Sequence, residues 1–197
     1  MRLAQVYSRL IISVITDVQI KYYPRAGSSG NSFTNHNGDI MIALNAAMPD
    51  GQLQELKDGD MVTHKTSELF ANKKVVMFAV PGAFTPTCSE THLPGYVVLA
   101  DEFKAKGVDA IICVAVNDAF VMSSWGKAQN AENLMMLADG DGSYTKALGL
   151  EMDTAAFGGL RSQRYAMVID NGVVTTLNVE QPQKFEVSNA ETIIKLL

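Results

Sequence analysis

Two continuous apolar runs, residues 74–80 and 110–116, constrain this chain of 197 residues more than any other feature. A strand with one wet face alternates polar and apolar side chains. A strand with no such alternation is buried on both faces, as in a parallel sheet covered by helices. The first run closes at Pro81 and Gly82. The segment between the runs carries apolar positions at helical spacing and stops at Lys106 and Gly107, so the three pieces read β-α-β. Residues 118–129 read as a helix, 134–138 as a strand, and 143–148 as a short helix after the turn at residues 139–142. Residues 165–178 read as a hairpin, because Asn171 and Gly172 tolerate the positive φ angles of a two-residue turn. Ser188 is the expected N-cap of a closing helix over 189–197. The order predicts an α/β domain with a central mixed sheet flanked by helices.

The length suits one domain with a core large enough to need no covalent staples. Apolar residues make up 47% and charged residues 19%, and no stretch approaches the ~20 apolar residues of a membrane span. A net charge of -5 without a basic run argues against nucleic acid as a partner. Two cysteines, Cys88 and Cys113, are too few for a disulfide framework and point to a reducing compartment, the cytoplasm. Residues 1–38 differ from the rest. They carry four basic residues and one acidic one, a balance of +3 that leaves -8 for the remainder. Residues 26–38 have the Gly, Ser and Asn content of a disordered linker. The first twenty residues read either as an acid-poor targeting peptide, which would make the protein mitochondrial, or as an upstream extension of a gene starting at Met41. The folded domain is expected over 41–197.

Residues 81–94 carry the chemistry. Thr85 followed by Pro86 reads as a helix start, with Thr as N-cap and Pro at the first helical position, where its missing N–H costs nothing. Cys88 then falls in the first turn, where backbone N–H groups and the positive end of the helix dipole favour a thiolate, the reactive form of cysteine. The plain alternative is a cysteine that acts only as a small buried apolar residue.

The spacing Pro81, Thr85, Cys88 matches the active-site motif of the peroxiredoxins, and the string from Val80 to Gly95 resembles its type II (atypical, peroxiredoxin V-like) version. The likeness continues in residues 114–125, 137–144 and 161–170. It implies a thioredoxin-like fold and a thiol-dependent peroxidase acting on hydrogen peroxide and alkyl hydroperoxides. Carried onto this sequence, it makes Cys88 the peroxidatic cysteine and Thr85 a hydroxyl partner of sulfur and peroxide. Arg164 becomes the guanidinium beside the thiolate, and Pro81 a shield against water. It also implies a homodimer, and recycling by glutaredoxin with glutathione or by thioredoxin. No late cysteine follows Cys113 to resolve the sulfenic acid, so the chain is similar to the glutaredoxin-dependent plant and bacterial forms. No cofactor or metal is implied.

Other residues were weighed beside these. Cys113, the only internal candidate to resolve a sulfenic acid, sits in mid-strand and reads as structural or auxiliary. His92, four residues after Cys88 on the same helix, invites a Cys-His pair, yet reads as structural too. The spacing of His36, His64 and His92 does not suit zinc. The turn at 139–142 superficially resembles a calcium loop but lacks Gly and Glu at the required places, and reads as solvated. Residues 153–161 read as a loop bordering the site. Trp125 and Phe120 read as core or as an edge of the pocket or of a dimer. A second function fits the same residues: a thioredoxin-fold sensor oxidised once at Cys88, without turnover.

Overall fold

The computed structural model describes residues 40–197, so the expectations for residues 1–38 lie outside it. The chain enters through strands β1 (Gln52–Lys57) and β2 (Asp60–Lys65) and a single turn, α1 (Thr66–Leu69). It then runs through β3 (Lys74–Ala79), a π turn over Cys88–His92, α2 (Leu93–Val98), α3 (Ala100–Ala105) and β4 (Ala110–Ala115). Next come α4 (Ala119–Ala128), β5 (Met135–Ala138), α5 (Ser143–Ala147), β6 (Glu151–Asp153) and β7 (Leu160–Ser162). It closes with β8 (Tyr165–Asp170), β9 (Val173–Val179) and α6 (Ala190–Ile194). The main sheet has the order β2-β1-β5-β4-β3-β8-β9, with β3, β4 and β5 parallel and the other strands antiparallel to their neighbours. This is a mixed thioredoxin-like sheet.

The apolar runs are its central strands because both faces are covered. Val76, Phe78 and Val80 face one core with Tyr96, Phe103, Trp125 and Ile193, and Val75, Met77 and Ala79 face the other with Tyr144 and Leu148. Successive side chains of a strand point to opposite faces, so one run feeds both cores. Phe78 stacks on Tyr96 at 4.0 Å, and each fully buried ring of this kind contributes about 1.5–3 kcal/mol.

Three local features differ from the sequence reading. The β1–β2 hairpin has no counterpart there, because among its buried positions only Leu53 is fully covered, leaving a weak apolar signal. Its turn at Asp58 and Gly59, φ 52° and 93°, was the legible clue. The closing helix is capped by Asn189, whose Oδ1 accepts from the Thr192 N–H at 2.8 Å, and not by Ser188. The turn at 139–142 is not wholly solvated. Asp139 is buried, and its carboxylate accepts from the N–H groups of Tyr144 and Thr145 at the start of α5.

Candidate active site

After β3 the chain turns through residues 80–85 and becomes helical at Pro86. The turn is pinned from two sides. The Ala83 N–H donates to Asn117 Oδ1 at 3.0 Å, and the Thr85 hydroxyl donates to the Gly82 carbonyl at 2.9 Å. Gly82 packs closely under this turn: a Cβ there would lie 3.3 Å from the Arg161 guanidinium, a tight contact, and 3.4 Å from the Thr85 methyl. Arg161 is itself held by the carbonyls of Gly158 and Val116. Phe84 takes φ 60°, a left-handed conformation that costs a non-glycine residue about 1–3 kcal/mol. Thr85 does stand just before the helix, and its carbonyl accepts from the Ser89 N–H at 3.0 Å. Its hydroxyl, expected to cap the helix, points back to Gly82. With its only proton committed there, Oγ1 keeps acceptor capacity toward a bound O–H group.

Cys88 opens a π turn in which the Leu93 N–H reaches back five residues to the Cys88 carbonyl. Pro94 supplies the reason: it has no N–H, and in a regular helix its ring would press on the carbonyl four residues earlier. The Cys88 side chain is fully buried. Arg164, in the stretch between β7 and β8, donates from Nη2 to Cys88 Sγ at 3.3 Å and from Nη1 to His92 Nδ1 at 2.9 Å. Arg always carries its protons, so Nδ1 is the acceptor and the ring proton sits on Nε2. From there it is donated to the Ser188 carbonyl at 3.1 Å. Burial, helped by the neighbouring guanidinium, brings the His92 pKa down to about 3, with the Ser188 carbonyl opposing. His92 is therefore neutral, and it orients Arg164 without adding charge.

The support continues outward. Tyr96 donates its hydroxyl to the same Ser188 carbonyl at 2.8 Å. Glu180 Oε1 accepts from the N–H groups of Glu186, Val187 and Ser188, each at 2.8 Å, and from the Ser188 hydroxyl at 2.9 Å. This clamp fixes the loop that carries Phe185. The Phe185 ring centroid lies 5.6 Å from the Arg164 guanidinium carbon, and 4.9 Å from that of His92 in an edge contact. A pocket of about 370 Å³ opens beside Arg164, with Pro81, Met152, Pro182 and Phe185 among its walls.

The structure thus brings Cys88 and Arg164 into contact, with Thr85 at the helix mouth and Pro81 on the pocket wall. Cys113 lies in β4 between Phe78 of β3 and Met136 of β5, in the same core cluster as Cys88, and burial, with the neighbouring Cys88 adding to it, pushes its thiol well above the ordinary range. His64 pairs with Glu55 at 2.8 Å, and His36 lies outside the described residues. Among the described residues no group of three or more His, Cys, Asp or Glu side chains suits a metal ion. Residues 153–161 are not a plain loop: β6 and β7 pair around a short 3₁₀ turn, and Arg161 ties this hairpin to the Val116 carbonyl. The sequence reading left His92, Ser188, Glu180, Phe185 and Arg161 off the site. Only His92 carries a signal, its place on the Cys88 helix, and its partner in the structure is Arg164.

Residues 43–194 match the family model described as Redoxin. The chain is 47% identical over 159 residues to Peroxiredoxin-2D of Arabidopsis thaliana, covering 79% of this chain and 98% of that protein. It is also 47% identical over 136 residues to the hybrid peroxiredoxin hyPrx5 of Haemophilus influenzae, covering 67% of this chain and 56% of that one. Among solved structures, reduced Prx3 of Vibrio vulnificus in complex with H2O2 superposes with a TM-score of 0.78 at 71% identity, covering 79% of this chain and 99% of that one.

Proposed function

The chain belongs to the redoxin family and, within it, to the peroxiredoxins of the type II kind, thiol peroxidases; from that premise we propose that Cys88 reduces hydrogen peroxide and alkyl hydroperoxides. The observation that carries the assignment is the Arg164 guanidinium on Cys88 Sγ at a helix mouth. The Cys88 thiolate attacks one peroxide oxygen, the O–O bond breaks, and the leaving oxygen departs with the electron pair and takes up a proton. Water or an alcohol leaves, and sulfur becomes a sulfenic acid. Negative charge moves from sulfur toward the leaving oxygen, so fixed donors aimed at that path lower the barrier without reorganising. Arg164 provides them, Thr85 Oγ1 accepts the peroxide O–H, and Pro81 keeps water from the pocket side.

The sulfenic acid needs a second thiol. Cys113 is held within the sheet, so the reductant is external: glutaredoxin with glutathione, or thioredoxin. The protein acts in antioxidant defence and redox homeostasis, in the cytoplasm, or in mitochondria if residues 1–38 form a transit peptide. The catalytic unit is residues 41–197, working as a homodimer. Exposed Phe84 (58%), Phe120 (61%) and Phe157 (81%) support the dimer. They lie on three segments tied together by the hydrogen bonds of Ala83 to Asn117 and of Arg161 to Val116, and a second copy seated over these segments would bury them. Repeated consumption of hydrogen peroxide with glutathione and glutaredoxin tests the proposal. A single stoichiometric oxidation of Cys88 without turnover would instead mark a sensor.

A further inference from the structure

We infer that the pocket beside Arg164 is the subsite for the organic group of an alkyl or aryl hydroperoxide, and that Met152 sets the preference for such substrates over hydrogen peroxide. The inference rests on the proposed attack of Cys88 on the peroxide and adds where the rest of the substrate lies.

The pocket, about 370 Å³, is at the small end of the range that takes organic ligands. Thr87, Gln181 and Gln183 stand among its polar wall groups, and the other polar wall groups are engaged elsewhere. Gln163 Nε2 donates to the Glu151 carbonyl at 3.2 Å, Glu180 Oε1 holds four donors of the 186–188 segment, and Arg164 is turned to Cys88 and His92. Lys184 lies at the exposed rim, 3.4 Å from Glu186. The apolar part of the wall is Pro81, Met152, Pro182 and Phe185, a surface suited to hydrocarbon. Hydrogen peroxide has nothing to place there.

Arg164 both lines this pocket and touches Cys88 Sγ, so the two sites share one wall. A hydroperoxide ROOH lies across it with its terminal oxygen toward sulfur and its RO oxygen toward the guanidinium. Sγ bonds to the terminal oxygen, the O–O bond breaks, and RO⁻ departs against Arg164 and takes up a proton to become ROH. The group R then extends into the pocket. The walls are set before substrate arrives. Met152 is held in the β6–β7 pairing opposite Arg161, and the Pro182 loop is closed by the Glu180 clamp. Rigid walls bind without an ordering cost.

The test is single-turnover oxidation of Cys88 by cumene hydroperoxide and by hydrogen peroxide, quenched by alkylation and read by mass spectrometry, in the full chain without reductant. In Met152→Glu, a carboxylate in the apolar subsite lowers the cumene hydroperoxide rate about tenfold and leaves the hydrogen peroxide rate within about twofold. Met152→Leu keeps both rates. If Met152→Glu fails to fold, Pro182→Glu on the exposed loop makes the same test. An equal fall for both peroxides, or an unchanged cumene hydroperoxide rate, overturns the subsite. A wild type in which neither peroxide oxidises Cys88 overturns the attack itself, and the subsite with it.

Discussion

Cys88 and Cys113 are both fully buried and belong to the same core cluster, yet their surroundings differ in kind. Cys113 is enclosed by neighbouring strands, and burial raises its thiol until it stays protonated. Cys88 sits where β3 gives way to a helix, with a guanidinium 3.3 Å from its sulfur. The contrast teaches that two cysteines equally removed from solvent can differ in the polar groups that reach their sulfur. A fixed donor beside sulfur acts more strongly in a dry site than in water.

The largest effect expected from breaking this contrast is at Cys88 itself. Cys88→Ser lowers peroxide consumption by at least about a thousandfold while the circular dichroism spectrum stays unchanged, because a hydroxyl is not ionised at neutral pH. Retention of most activity would place the chemistry elsewhere.

His92 comes next, since it holds Arg164 in place. His92→Leu removes the acceptor and slows Cys88 oxidation about tenfold, whereas His92→Gln, which can still accept from Arg164 and donate to Ser188, recovers most of the rate. The same residue ties stability to pH. Its pKa falls from 6.5 to about 3 on folding, so the unfolded chain binds this proton first. Stability from this group is present above about 6.5 and is lost as the pH falls toward about 3. Urea midpoints measured down this range should drop less steeply in His92→Gln than in the wild type.

Cys113→Ser should leave at least about half of the glutaredoxin-supported activity and cost about 1 kcal/mol of stability, the effect of a hydroxyl in an apolar strand. Peroxide-treated protein given glutathione should carry a mixed disulfide at Cys88. An internal Cys88-Cys113 bridge, about 2 Da lighter than the reduced chain, would instead make the two cysteines partners. The smallest effect belongs to removal of residues 1–38, which should leave the melting temperature and the peroxidase rate nearly unchanged. A large fall in either would show that the catalytic unit begins earlier than residue 41.

The elements legible in the sequence are those governed by neighbours along the chain. Two unbroken apolar runs became the central strands, the segment read as a helix over 118–129 formed α4, and Asn171 and Gly172 turned the β8–β9 hairpin with φ 46° and 78°. Local physics also placed Cys88 in a first helical turn. Where two local candidates compete, local physics does not decide: Asn189, not the expected Ser188, caps α6, because the Ser188 hydroxyl is drawn to the Glu180 carboxylate.

Family likeness alone drew Arg164 from the sequence, since no local pattern distinguishes it from Arg161 three residues earlier. Arg164 meets Cys88 across 76 residues and His92 across 72, and His92 reaches Ser188 across 96. Those distances close only because the sheet order places β8 beside β3, with β9 outside it. Spacing along the chain set the period, the caps and the place of the thiol. The strand order decided which donor, acceptor and ring meet that thiol, because these contacts depend on packing across the sheet, which no window of neighbouring residues contains.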